Sequence, residues 1–268
     1  MALFAGGDHV AAQGLVLALG GGGARGLAHL GVLQVLTKAR VPLAGLVGTS
    51  MGAVVAALYG VGTDLKRLEE FTVAFPWEEL LDLSFKGLGF SGGERAFTML
   101  ELLTKGRTFA ELTLPVWVVA TDLERGTSVV LREGPLATAL RASISVPGFF
   151  APWVVEGRTL VDGAVVAGVP VEIAREMGAT VVAVDVGFDF QTRRARHVVD
   201  VLTRVVQIMG SELDRHQVAQ ADYVIRPEVG CVSSARFDQA GECVALGRRA
   251  AEEALPELWK LAKQVKGA

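Results

Sequence analysis

Gly48-Thr49-Ser50-Met51-Gly52 stands between Leu43–Val47, a short apolar run with the character of a strand, and Ala53–Tyr59, an apolar run with the character of a helix. A serine on a sharp strand-to-helix turn needs residues without bulk two positions before and after it. Backbone segments crowd there and unusual dihedrals must be tolerated. Gly48 and Gly52 meet that need. The turn also brings the Ser50 hydroxyl toward the unpaired N–H groups that open the next helix, where partial positive charge favours an alkoxide or a nearby oxyanion. In a chain with 32 glycines the pentapeptide does not decide the chemistry alone, so its surroundings have to.

Upstream, Leu15–Leu19 is a continuous apolar run that enters Gly20-Gly21-Gly22-Gly23-Ala24-Arg25-Gly26, after which Leu27, Leu30, Leu33 and Leu36 recur at helical spacing. Pro42 ends that helix, and Leu43–Val47 leads to the elbow. Downstream, strands are expected over Val116–Ala120, Ser128–Leu131, Thr159–Val161, Val181–Val186 and Tyr223–Ile225. Helices are expected over Glu94–Leu103, Pro135–Ala142, Pro170–Met177 and Val198–Ala219 and within Cys243–Val265, with Asp64 capping another. Alternation of this kind predicts an α/β fold of three layers, α/β/α, around a central, mostly parallel sheet. Residues 1–14 read as an N-terminal tail and 15–268 as one domain. Ser143–Trp153 is too rich in proline and aromatics for regular structure and reads as a pocket-lining loop. Residues 71–93 lose periodicity; a helical excursion packed on the core is favoured over a mobile lid.

Composition narrows the function classes. With 26 Lys and Arg against 29 Asp and Glu, a net charge of −3 and no recurrent basic stripe, nucleic acid is not an expected partner. The cluster Arg193-Arg194-Ala195-Arg196-His197 reads as a solvated loop, with a transient contact to anionic headgroups at a membrane surface as the alternative. Cys231 and Cys243 have neither Cys-x-x-Cys partners nor a neighbouring histidine pair, so two free thiols and no metal are expected. Met1–Gln13 lacks the layout of a secretory signal, which suggests a cytoplasmic protein. Val41–Thr63 contains no charge, yet a serine elbow at its centre argues for a buried strand, turn and helix over a membrane span.

Gly21-x-Gly23-x-x-Gly26 has the form of a dinucleotide fingerprint, but no Asp or Glu occurs between Asp8 and Asp64 to hold a ribose, and no Gly-Lys-Ser/Thr follows to make a phosphate loop. No cofactor is expected. A glycine-rich turn at a helix N-terminus can instead cradle the oxyanion of acyl transfer. If the first two strands are parallel neighbours, that cradle and Ser50 face one crevice. Arg25 would brace the loop, bind a substrate phosphate, or lie on the surface. For a base, His197 and His216 follow Asp162 in the order a Ser-Asp-His triad requires, but neither has motif context; His9 and His29 read as structural. Asp162, at a strand end before Gly163 and Ala164, is a candidate general base if burial lifts its pKa.

Taken together, Gly21–Gly26, Gly48–Gly52 and Asp162-Gly163-Ala164 resemble the patatin-like phospholipase family, in particular its short bacterial members. The similarity extends through Ala120-Thr121-Asp122-Leu123, Ala139-Leu140-Arg141-Ala142-Ser143 and Ser145-Val146-Pro147-Gly148-Phe149, from about Leu15 to Val186. Asp162-Gly163-Ala164 stands where many members have Asp-Gly-Gly. What the resemblance implies is a Ser-Asp dyad with Ser50 as nucleophile and Asp162 as base, and an oxyanion hole built from Gly21, Gly22, Gly23, Ala24 and Arg25. It also implies hydrolysis of a phospholipid or lysophospholipid ester through an acyl-enzyme, without metal or histidine. A triad esterase and a lipid-binding protein without turnover are the alternatives.

Overall fold

The structure, a computed structural model, describes residues 14–80, 91–178, 180–187 and 198–267. Its first strand, β1 (Leu15–Leu19), is buried along its whole length, as a strand covered on both faces must be. A 3₁₀ turn over Gly23–Leu27 leads into α1 (Ala28–Lys38), and beyond Pro42 the chain returns as β2 (Leu43–Thr49). α2 (Met51–Gly60) starts directly behind Ser50. α3 (Leu65–Ala74) starts behind Asp64, whose carboxylate accepts the N–H groups of Lys66 and Arg67 as an N-cap. Next come α4 (Glu94–Thr104), β3 (Val116–Asp122), β4 (Thr127–Leu131) and α5 (Leu136–Ser143). β5 (Trp153–Val155), β6 (Arg158–Asp162), α6 (Val171–Met177) and β7 (Val181–Val184) follow. α7 (Val198–Val218), β8 (Tyr223–Ile225) and α8 (Ala240–Gly267) complete the described chain.

Among the described residues eight strands form one sheet. β8, β7, β1, β2 and β3 lie side by side and parallel, so the loops that follow them converge on one edge. β4 runs antiparallel along Val118–Asp122 and occupies one side of β3. A strand has only two sides, so β2, along Val116–Val119, and β6, along Ala120–Asp122, must share the other. They lie end to end: Thr49 is opposite Val119, and Asp162 is opposite Ala120. Because β2 is parallel to β3 and β6 antiparallel, their C-termini meet head-on. That joint brings Ser50 and Asp162 together across 112 residues of sequence.

Alternate residues of the central strands pack to opposite faces. Leu17, Leu19, Leu46 and Val118 join a core with α1, α2 and α8, while Val16, Ala18, Val47 and Val119 pack on α6, Ala167, Val169 and Val218 of α7. The expected three layers result. The uncharged stretch is a buried strand, turn and helix, and among the described residues no helix is long and apolar enough to cross a membrane.

Two expectations need correction. Strands and helices do not alternate throughout: beside the hairpin β3–β4, expected from the turn at Glu124-Arg125-Gly126, β5–β6 is a second antiparallel hairpin. The stretch read as wholly irregular ends in β5, since Glu156 (φ 50°) and Gly157 (φ 75°) form a two-residue turn that folds Trp153–Val155 back on β6. Of residues 71–93, Trp77 stacks on Phe237 with ring centroids 4.4 Å apart, as in a packed excursion. Residues 81–90, the tail through Gln13 and the cluster Arg193–His197 lie outside the described residues.

Candidate active site

Ser50 sits at φ 52° and ψ −123°, a conformation that costs an L-residue on the order of 1–3 kcal/mol. Its flanks require glycine. A Cβ on Gly48 would come 2.5 Å from Ala53 N, and one on Gly52 would overlap Leu19 O. The Ser50 N–H donates to Ser143 Oγ at 2.8 Å, and that hydroxyl donates onward to Val119 O at 2.7 Å. Thus the last turn of α5 ties the elbow to β3, a role that the sequence did not assign to Ser143.

The Ser50 hydroxyl donates to Asp162 Oδ2 at 2.7 Å, and Asp162 Oδ1 accepts the Ala164 N–H at 2.8 Å. Ser50 is 7% and Asp162 3% exposed. Burial lifts the Asp162 carboxyl from 3.8 to about 6, against the two hydrogen bonds, which favour the anion. The aspartate backbone is fixed as well: its N–H donates to Ser145 O at 2.9 Å and its carbonyl accepts from Thr121 Oγ1 at 3.0 Å. A Cβ on Gly163 would overlap Val119 O, which accounts for the small residue that follows.

The glycine loop lies against the elbow, since a Cβ on Gly21 would stand 3.4 Å from Ser50 Cβ. Three of its five candidate donors are committed internally. Gly21 N–H donates to Gly168 O at 2.9 Å, Ala24 N–H to Ser234 O at 2.8 Å and Arg25 N–H to Gly22 O at 3.2 Å. The N–H groups of Gly22 and Gly23 donate to no acceptor among the described residues. Arg25 is a buried brace: its Nε donates to Val232 O at 2.5 Å and Nη1 to Gly187 O at 2.9 Å, which removes the surface alternative.

Two further side chains steady the loop: His29, read from the sequence as structural, and Asp214, which sequence reasoning missed. His29, fully buried, bonds Gly20 O at 2.7 Å through Nε2. A carbonyl only accepts, so Nε2 carries the proton, and Nδ1 is buried without a partner among the described residues. Burial pushes this imidazole down to about 4 and keeps it neutral. The Gly20–Gly21 peptide is therefore held at its carbonyl by His29 and at its N–H by Gly168. Asp214 of α7 accepts the Val169 N–H at 3.0 Å and so clamps the strand of loop that supplies Gly168 O. Burial, aided by the charge of Asp185, lifts Asp214 to about 7. An acid on a long amphipathic helix reads as solvent-facing, which is why nothing in the sequence singled it out.

Among the described residues no histidine bonds Ser50 or Asp162; His216 lies exposed on the last turns of α7, and His197 is outside the described residues. Cys231 and Cys243 form no disulfide among the described residues; the first is exposed and the second buried.

Comparison with known proteins gives the arrangement a lineage. Residues 17–175 match the family described as patatin-like phospholipase. An uncharacterised NTE-family protein of Mycobacterium tuberculosis is 39% identical over 165 residues, covering 58% of this chain and 44% of that protein. Patatin-like phospholipase domain-containing protein 6 of Homo sapiens is 34% identical over 189 residues, 66% of this chain and 14% of that protein. The chain thus spans less than half the length of the curated relatives it matches. VipD from Legionella pneumophila has the same fold, with a TM-score of 0.60 at 16% identity over 91% of this chain and 67% of its own. Since the family match begins in β1, ends in α6 and takes in more than half of the residues, the chain belongs to the patatin-like phospholipase family.

Proposed function

We propose that the protein is a serine acyl hydrolase of phospholipid or lysophospholipid esters that works through a Ser50–Asp162 dyad. The observation that carries the reading is the 2.7 Å hydrogen bond between the hydroxyl of an elbow serine and a buried carboxylate. Ser50 Oγ attacks the ester carbonyl carbon while its proton passes to Asp162 Oδ2. The carbonyl oxygen becomes an oxyanion, received by the Gly22 and Gly23 N–H groups, with the opening turn of α2 adding positive potential. As the tetrahedral intermediate collapses, the C–O bond to the alcohol breaks and Asp162 returns the proton to the leaving oxygen. Water, deprotonated by Asp162, then attacks the acyl-serine; the fatty acid departs and Ser50 Oγ recovers its proton. A carboxylate held near about 6 is suited to both halves, because it accepts a proton readily and gives it back at neutral pH.

A fluorophosphonate should label Ser50, as read by mass spectrometry of the modified peptide, and Ser50→Ala should abolish both labelling and turnover of short acyl esters. Asp162→Asn should lower kcat by about 10²–10⁴-fold, the usual contribution of a positioned base. Gly22→Ala, whose Cβ would stand 2.7 Å from Val186 Cγ2, should also reduce kcat. Full activity in Asp162→Asn would remove the dyad. A folded protein that takes up no probe would favour the lipid-binding reading.

A further inference from the structure

α7 meets the rest of the protein along a buried stripe of Gly210, Asp214 and Val218. An inward stripe of a helix is ordinarily apolar, yet the middle residue of this one is an acid, 8% exposed. Burial disfavours its charged form, and the charge of Asp185 adds to that cost. An apolar residue would burden the fold less, so the worth of Asp214 has to lie in what its carboxylate holds.

It holds residues 166–169, and in that tetrapeptide the parts of the candidate site meet. The N–H groups of Val166 and Ala167 donate to Gly163 O at 3.2 and 2.8 Å, closing the turn that follows Asp162. Ala167 O accepts the hydroxyl of Thr49, the residue before Ser50, at 2.8 Å. Gly168 O accepts the Gly21 N–H at 2.9 Å, and Val169 Cγ2 would stand 3.0 Å from a Cβ on Gly20. One short segment thus touches the base turn, the elbow and the glycine loop. α7 grips it from the other side at both ends: Gln217 Nε2 donates to Val166 O at 3.2 Å, and Asp214 Oδ1 accepts the Val169 N–H at 3.0 Å. The Gly168 N–H bonds the same carboxylate. A Cβ on Gly168 would overlap both Asp214 oxygens, while its φ is not positive, so glycine is needed there to admit the carboxylate and not to turn the backbone. Asp214 itself lies outside the matched residues 17–175.

We propose that Asp214 is a positioning residue: through residues 166–169 it sets where the glycine loop stands relative to Ser50. The proposal rests on the acyl-hydrolase reading above, in which that loop receives the oxyanion. It is tested on the full chain by kcat and KM for a water-soluble short-chain acyl ester, and by amide hydrogen exchange of the peptide spanning Gly20–Leu27. Asp214→Leu fills similar space without an acceptor, and kcat should fall by about 10–100-fold with KM within about twofold of wild type, the signature of an interaction that counts in the transition state. Exchange in the Gly20–Leu27 peptide should quicken by about tenfold, because the Gly21 N–H loses a fixed acceptor. Asp214→Asn keeps an oxygen for the Val169 N–H at the same reach and should retain most of the rate. Where Asp214→Leu does not fold, Asp214→Glu carries the test: its oxygens lie one methylene further out, and kcat should fall with KM unchanged. Wild-type kcat in a folded Leu variant, or in the Glu variant where Leu does not fold, overturns the proposal. So does an equal loss of rate in the Asn and Leu variants, or a Leu variant that unfolds at a lower temperature while its kcat and loop exchange stay those of wild type. A wild-type chain inert toward the ester removes the hydrolase reading; faster loop exchange in the Leu or Glu variant then still supports the hold of Asp214 on the glycine loop, and unchanged exchange overturns it.

Discussion

At the scale of single residues, Asp162 links activity to stability with opposite signs. In the proposed dyad a carboxyl lifted to about 6 stops serving as base on acidification, so kcat/KM on a soluble ester should fall by about tenfold per pH unit below that value and level off above it. Folding responds the other way. Between 3.8 and about 6 the native chain holds a proton that the unfolded chain has released, so stability is lost as pH rises through that window, and the full cost persists above it. Replacing the buried carboxylate should therefore stabilise the fold at neutral and alkaline pH, on the order of 1–3 kcal/mol. Asp162→Asn is expected to be strongly impaired in turnover yet to unfold at a higher temperature than wild type at about pH 8, with the difference fading toward about pH 4. Calorimetry across pH checks it, and a variant less stable than wild type at alkaline pH would contradict the sign.

Among the elements, α1 and α8 approach closely. A Cβ on Gly31 would overlap Val244 O, and one on Gly247 would overlap Ala28 O, so these helices touch backbone to backbone. Gly247→Ala should push α8 off α1 and cost about 1–3 kcal/mol, the usual range for overpacking, measured as a lower urea midpoint with an unchanged slope. Features of this kind separate what the sequence discloses from what it hides. The elbow, the Asp64 cap and the buried strands are local patterns of a few residues, and all were legible. The Glu156-Gly157 turn was not, because a positive φ at glutamate has no residue-type signal and Pro152 beside it argues against a strand. Nor was the end-to-end joint of β2 and β6: motif order pairs Ser50 with Asp162, but the shared side of β3 that joins them depends on registers between distant segments. The partner of His29 and the role of Asp214 stayed hidden for a similar reason, since the groups they bond are backbone groups that belong to other elements.

For the whole molecule, the buried ionisable groups pull stability in different directions. Below 6.5 the unfolded chain protonates at His29 while the native imidazole stays neutral down to about 4, so this group costs stability on acidification. Asp162 and Asp214, raised to about 6 and about 7, cost stability as pH rises instead. Asp214→Asn should accordingly gain unfolding temperature relative to wild type as pH goes from about 5 to about 8; a difference that stays constant over that range would place the Asp214 carboxyl at its ordinary value. The brace at Arg25 bears on where this chain can be cut. Its guanidinium reaches Val232 and Gly187, the neighbouring Ala24 N–H reaches Ser234, and Gly20 N–H reaches Val184. Every one of those acceptors lies beyond residue 175, where the family match stops. A fragment trimmed to the matched stretch would keep Ser50 and Asp162 but leave the glycine loop's buried donors unanswered and β1 with a bare edge. The matched segment is thus not a portable module: the geometry of its proposed site is held in part by chain that lies beyond the family match.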